Sequence, residues 1–272
     1  MRVNQEEIAF AKWVLNVGDG KEVNVKKQKI TVPELIRSSG NLIADIFENQ
    51  DENSSDRWNS VILAPTNKAV DSINDNVLEN IVPGEVVHLL SSDILKSDPS
   101  VANDIQNLPI EYLNSLNPNG MPVHNLKLKV NCIVTVLRNL NIKDGVCNGT
   151  RLLVKGINSR VLTCQHIVNP RFGETVLIPR IILFSNDKDF PFSFERKQFP
   201  VRLAYAMTIN KSQGQTLSRV GLDLEKDCFT HGQLYVALSR VRSPKDLFVS
   251  TPNDKMIQTN VTDNIVFKEV LL

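Results

Sequence analysis

The sequence predicts an α/β fold whose parallel sheet is interrupted by a small β-barrel. A short apolar run, Val61-Ile62-Leu63-Ala64, is followed by a Pro65-Thr66-Asn67 turn. Apolar residues at helical spacing then follow (Ala69, Val70, Ile73, Val77, Leu78), which makes a βα unit. Residues 126–184 instead alternate in several short stretches separated by Gly and Asn turn signals, the pattern of a small barrel. The α/β pattern returns near residue 200, so the β-rich region reads as an insertion.

Taken in order, residues 5–16 place Ile8, Ala11 and Leu15 at helical spacing, and Asn4 with Glu7 resembles a capping box. Gly18 and Gly20 are expected to end this helix. Residues 23–30 alternate and suggest a short strand. Pro33 suits a helix start, and Leu35, Ile36, Leu42, Ile43, Ile46 and Phe47 form an apolar stripe broken at Gly40. The polar stretch 49–57 reads as a linker. After the βα unit, residues 91–125 are rich in Ser, Asn, Asp and Pro, with one short helix expected near 109–116. Alternating segments cover 126–137, 151–157, 160–168 and 174–184, punctuated by Gly145, Asn148-Gly149, Asn158-Ser159 and Gly173. Residues 219–224 read as a strand. Residues 231–241 read as a helix with Leu234, Leu238 and Val241 on one face, and 247–249 as the final strand. The tail 251–272 begins polar and ends in the apolar-rich VFKEVLL.

A chain of 272 residues is long enough for one large domain or two smaller ones. Its 31 Lys+Arg nearly balance its 30 Asp+Glu. Any nucleic-acid contact is therefore expected to be local rather than spread over a broad basic face. Cys132, Cys147, Cys164 and Cys228 are widely spaced and none forms C-x-x-C, so no metal site is expected. They read as free thiols in buried or half-buried positions. No run of about 18 apolar residues occurs, so no membrane-spanning helix is expected. The first twenty residues lack the apolar core of a secretory signal.

Two stretches carry chemistry. Residues 206–216 (AMTINKSQGQT) gather Thr208, Asn210, Lys211, Ser212, Gln213 and Thr216 around Gly214. Hydroxyls, amides, one cation and an accessible glycine backbone suit a phosphate-contacting loop. Residues 235–241 (YVALSRV) end an apolar helix on Ser239 and Arg240. An arginine held by such a helix can direct its planar fork at a phosphate, or it can serve as a helix C-terminal cation. Thr66 and Asn67 follow a strand of the parallel sheet, where ligands bind. They are candidate ligand contacts, or simple helix caps.

The stretches FPVRLAYAMTINKSQGQTL (199–217) and HGQLYVALSRVRS (231–243) resemble motifs V and VI of the Pif-family DNA helicases, including those of Helitron transposons. So do FAKWVLNVGDG (10–20), VILAPTNKAVDSIN (61–74), PGEVVHLLSSD (83–93), EYLNSLNPNGMPVHNLKLKV (111–130), VLRNLNIKDGVCNGTRLLV (136–154), IPRIIL (178–183), PFSFERKQFPV (191–201) and VFKEVLL (266–272). Asn131-Cys132 stands where the family usually has Gly-x-Pro, and Thr135 where it has Met.

The resemblance implies the C-terminal part of a superfamily-one, ATP-dependent 5′-to-3′ DNA helicase. Its motor would be RecA-like α/β, of the P-loop NTPase class, with an SH3-like barrel inserted in the second domain. Residues 1–57 would be the tail of the first RecA-like domain, 58–109 and 196–250 the second, 110–195 the insertion and 251–272 a tail. By position, Arg240 resembles the arginine finger for the γ-phosphate of ATP. Gln213 and Gly214 resemble residues coupling the nucleotide cleft to the DNA. Thr66, Asn67, Thr208, Asn210, Lys211 and Ser212 resemble or neighbour contacts to single-stranded or forked DNA. Nuclear placement is implied likewise. ATP and Mg²⁺ would serve the full-length family. This chain lacks G-x-x-x-x-G-K-[ST] and a strand-end carboxylate pair, with Asp223 and Glu225 reading as strand-end residues. It is therefore expected to be inactive alone, its partner being a missing N-terminal motor domain. The alternatives are a domesticated remnant that binds single-stranded DNA or a protein without hydrolysis, and an adaptor using the insert alone.

Overall fold

The computed structural model describes residues 7–21, 29–48, 58–96, 108–185, 190–251, 261–267 and 269. In chain order they form helix α1 (Ile8–Gly18), strand β1 (Lys29–Thr31), helix α2 (Leu42–Phe47), strand β2 (Ser60–Ala64) and helix α3 (Asn67–Asn80). Strands β3 (Val87–Leu90) and β4 (Ser92–Leu95), helix α4 (Ile110–Ser115), and strands β5 (Asn125–Leu128), β6 (Ile133–Val136), β7 (Arg151–Ile157), β8 (Val161–His166), β9 (Thr175–Pro179), β10 (Ile181–Phe184), β11 (Phe194–Gln198) and β12 (Val201–Leu203) follow. The chain continues with β13 (Ala206–Thr208), a 3₁₀ turn (Ile209–Ser212), β14 (Arg219–Asp223), helix α5 (Gln233–Leu238), β15 (Leu247–Ser250) and β16 (Val261–Asp263). Packing divides the chain into two units. One holds the described residues up to Val77 and from Tyr205 onward, and the other holds Leu78–Ala204. These divisions differ from the expected boundaries at 57, 109 and 195. The described part of 1–57 packs into the same unit as 205 onward, and the second unit begins inside α3.

The first unit is built on an all-parallel sheet of order β13-β2-β14-β15. Every residue of β2 is buried, as expected for a parallel strand covered on both faces. Val61 and Leu63 join Val220 and Leu222 in a core with Phe10, Val14 and Val17 of α1 and Leu234 and Leu238 of α5. Ile62 and Ala64 pack on the other face with Ile46 of α2 and Val70 of α3. Gly221 lets α2 approach: a Cβ there would lie 2.9 Å from the Ile46 side chain.

The sequence placed the wrong face of α1 inward. Ile8 is 70% and Leu15 47% exposed, while Phe10, Val14 and Val17 are buried. Both sets fit helical spacing, but the second adds Trp13 beside Phe10 and so removes more apolar area from water. Glu7 occupies the N-cap without a capping side-chain bond; Asn4, the other half of the expected capping box, lies outside the described residues. So do residues 23–28 of the expected strand, the linker 49–57 and most of the expected VFKEVLL ending. The stripe after Pro33 becomes a 3₁₀ turn (Glu34–Ile36) and α2, capped by Asn41 accepting from the Ala44 N–H. Strand β16 pairs antiparallel with β1 inside the region read as a polar tail.

The second unit is antiparallel. Strands β6 to β9 form a meander, with β12 added at the free edge of β6 (order β12-β6-β7-β8-β9). A three-stranded sheet, β10-β11-β4, packs on α4, and β3 pairs with β5. The expected short helix near 109–116 is α4. Arg196 is fully buried at the centre of this layer. Its guanidinium donates to both Asp93 carboxylate oxygens and to the carbonyls of Leu113, Leu116 and Pro122. Asn131, where the family usually has glycine, has φ +67°. Asparagine tolerates that left-handed conformation better than most residues.

The cysteines are free. Burial pushes the thiols of Cys132, Cys164 and Cys228 up to about 12, while Cys147 is half-buried. The thiolate is the nucleophile. Native chain treated with a thiol reagent at pH 8 is therefore expected to lose one thiol quickly, mapped to Cys147 by mass spectrometry, and three only on unfolding. Fast labelling of Cys132 or Cys164 would contradict the burial described.

Candidate functional site

All four strands of the parallel sheet run the same way, so the residues that follow them share one edge. Thr66 and Asn67 follow β2, and the turn Ile209–Ser212 follows β13. Register pairs Thr208 directly with Ala64, so these two exits are neighbours. The segment 224–232 leaves the same edge from β14. Carboxyl edges of parallel sheets are where ligands bind.

Two buried amides brace this part of the sheet: one holds the start of β13 and the other the turn that follows β14. Asn74 of α3 accepts from the Tyr205 and Ala206 N–H groups, both at 2.9 Å, and donates to the Ala206 carbonyl at 3.4 Å. It sits between Val70 and Val77 on the buried stripe of α3. Gln233, at the start of α5, accepts from the Phe229 N–H at 3.1 Å and donates to Asn210 Oδ1 at 3.5 Å. Sequence reasoning missed both. The available signal was a polar residue inside an apolar helical stripe, which when buried must find partners.

The expected contact residues divide into two groups. Thr66 is half-buried and its Oγ1 accepts from the Ala69 N–H at 3.3 Å, so it caps α3. Asn67, Asn210 and Lys211 are exposed, and Thr208 is half-buried. Ser212 is fully buried and its hydroxyl donates to the Ile209 carbonyl at 2.7 Å; it shapes the turn and does not face outward. Gln213 and Gly214 are exposed. Gly214 has φ +82° with open space where a Cβ would stand, so backbone conformation alone requires glycine there.

Arg240 lies at the opposite end of α5 from Gln233. It is half-buried and folded back on its surroundings. Its guanidinium donates to the Val236 carbonyl (2.7 Å), the Gln215 carbonyl (3.1 Å), the Ser212 carbonyl (3.3 Å) and Ser239 Oγ (2.7 Å). Its own carbonyl accepts from the Leu217 N–H at 3.0 Å. The structure thus joins Arg240 directly to the 209–217 loop, a link its sequence position did not reveal. Asp223, at the end of β14, accepts from the Glu225 N–H at 3.0 Å, in keeping with strand-end residues. Asn59 holds the far side of the loop, donating to the Thr216 carbonyl and to Ser218 Oγ, both at 3.3 Å.

The fold of this chain is similar to part of the fold of solved Pif1 helicases. The crystal structure of Pif1 helicase from Candida albicans matches with a TM-score of 0.65 at 24% identity, covering 98% of this chain and 57% of that one. Pif1 helicase from Bacteroides, in complex with ADP-AlF3 and ssDNA, matches with a TM-score of 0.62 at 22% identity, covering 100% and 53%. The sequence model "DNA helicase Pif1, 2B domain" matches residues 111–157. ATP-dependent DNA helicase Pif1 of Bdellovibrio bacteriovorus is 36% identical over 148 residues, 54% of this chain and 32% of that protein. ATP-dependent DNA helicase PIF1 of Danio rerio is 32% identical over 205 residues, 74% of this chain and 29% of that protein. The chain belongs to the Pif1 family of DNA helicases. It spans about a third of the curated relatives and a little over half of the solved structures.

Proposed function

We propose that this chain supplies two parts of an ATP-dependent DNA helicase: the arginine that meets the terminal phosphate of ATP, and a section of the track for single-stranded DNA. The observation that supports this best is the junction in the first unit. The loop that begins at the carboxyl edge beside Thr66 and Asn67 is held by the guanidinium of Arg240. In this reading Asn67, Thr208, Asn210 and Lys211 contact the DNA backbone, Thr66 positions Asn67, and Ser212 shapes the turn. Gln213 and Gly214 sit between the track and Arg240. Translocation from 5′ to 3′ and an SH3-like nature for the strand-rich insertion belong to the same reading.

Arg240 is the residue assigned here to the triphosphate, with Gln213 and Gly214 beside it. No G-x-x-x-x-G-K-[ST] occurs in the 272 residues, and Asp223 is engaged with its own turn. The cradle for the β- and γ-phosphates, and the ligands for the Mg²⁺ that would neutralise charge on the transferring group, are assigned to residues outside this sequence.

The test uses the 272-residue chain. Fluorescence anisotropy with labelled oligo(dT) is expected to show binding that weakens with salt, and Lys211→Ala is expected to reduce the slope of log K against log[salt] by about one. DNA-stimulated ATP hydrolysis is expected to be absent. Absence of binding at low salt would remove the track. Hydrolysis by the chain alone would overturn the assignment of the phosphate cradle elsewhere.

A further inference from the structure

We infer that Phe229 is a stacking platform for a base of the single strand, placed beside the backbone contacts. The inference rests on the single-strand reading above and adds a contact of a different chemical kind.

Phe229 lies in the segment that leaves the carboxyl edge after β14, and 59% of it is exposed. Its neighbour Cys228 is buried in the core, so the backbone at this point is anchored while the ring faces out. Gln233 ties that backbone to the track: one side-chain amide accepts from the Phe229 N–H and donates to Asn210. Phe229 and Asn210 are therefore the two outer ends of a single buried bridge. The following turn is fixed as well. Gly232 donates to the Ile265 carbonyl at 3.0 Å, and His231 accepts from the Phe267 N–H at 2.9 Å with the two rings stacked. The anionic Asp227 in this segment is turned toward Thr262 and Asp263, accepting from both.

An exposed phenylalanine on a hydrogen-bonded turn, one amide away from an exposed asparagine that Lys211 follows in sequence, matches the pairing that single-strand binders use. Cations and amides follow the backbone while an aromatic face takes a base. The low aromatic content of the chain argues against stacking along the whole strand. It does not argue against a single platform at Phe229. Stacking is tolerant of sequence because every base has a π-face, which suits a translocating protein.

The experiment compares an ordinary oligo(dT) with an oligonucleotide of equal length made of abasic sites, using the full chain. Wild type is expected to bind the ordinary strand about tenfold more tightly than the abasic one. Phe229→Ala is expected to erase that preference while leaving affinity for the abasic strand unchanged, and Phe229→Trp to retain it. Phe172→Ala, an exposed phenylalanine of the other unit, is expected to leave both affinities as in wild type. Equal binding of both strands by wild type would overturn the platform and leave the backbone track standing. A preference that survives Phe229→Ala would overturn it as well. Binding of neither strand would sink the platform together with the track.

Discussion

Arg196→Ala is expected to destabilise the second unit by about 3–5 kcal/mol, the range for removing one partner of a buried ion pair. The Asp93 carboxylate would stay fully buried without its cation. Its remaining donor is the Ser91 hydroxyl at 2.6 Å, with His124 no closer than 3.9 Å. The carbonyls of Leu116 and Pro122 would lose this donor in the same step, and that of Leu113 would keep only the Leu116 N–H. One guanidinium thus holds β4, α4 and the Pro122 loop to β11, and those orphaned acceptors add to the cost. Asp93→Ala should fall in the same range. The double variant Arg196→Ala/Asp93→Ala should cost clearly less than the sum, because neither then leaves a buried charge. Both tryptophans, Trp13 and Trp58, lie in the first unit. Their fluorescence would not report the loss, and hydrogen exchange of the β10 and β11 amides is the suitable measurement. Unchanged protection in Arg196→Ala would mean that the pair does not hold the layer.

Much of this architecture was legible because local pattern and tertiary packing agree. The run at 61–64 is buried on both faces, the helix after it carries its apolar stripe inward, and Leu234, Leu238 and Val241 face the core as their spacing requires. Where two stripes competed on α1, spacing could not choose between them. The choice was made by which stripe met α5 and the sheet. Strand β16 was unreadable because it gains its order from a partner far away in sequence, β1. Asn131 shows the reverse case. A departure from the family residue that looks disruptive in sequence is conformationally compatible, since asparagine also accepts φ +67°. At the candidate site, residue types singled out segments but not their wiring. Ser212 looked like a contact and is buried. Asn74 and Gln233 looked like ordinary helix residues, yet Asn74 holds the start of β13 and Gln233 links the Phe229 backbone to Asn210. Hydrogen bonds between segments distant in sequence leave no periodic trace, so such wiring emerges only from the fold.

Arg240→Ala, made in the intact helicase that the proposed function describes, is expected to lower the kcat of DNA-stimulated ATP hydrolysis by about a thousandfold or more. The KM for ATP should change far less, since a finger acts on charge that develops in the transition state. In this structure the guanidinium donates to Val236, Ser212, Gln215 and Ser239, and the Ser212 and Gln215 acceptors are carbonyls of the 209–217 loop. Reaching a phosphate therefore means releasing some of these bonds, and releasing Ser212 and Gln215 loosens the loop that carries Asn210 and Lys211. If the proposed function holds, that exchange would give the nucleotide a direct mechanical path to the DNA track. Arg240→Ala should then also weaken the dependence of single-strand affinity on bound nucleotide, an effect that loss of a charge alone would not produce. The lost hydrogen bonds should lower stability by only about 1–2 kcal/mol at this half-buried site, so the chain should remain folded. Arg240→Lys keeps the charge but presents a flexible ammonium in place of the planar fork. It cannot span Val236, Ser212, Gln215 and Ser239 together, and should restore neither hydrolysis nor coupling in full. Hydrolysis within tenfold of wild type in Arg240→Ala would remove the finger assignment. Normal nucleotide coupling in a hydrolysis-dead variant would keep the finger and remove the link through the loop.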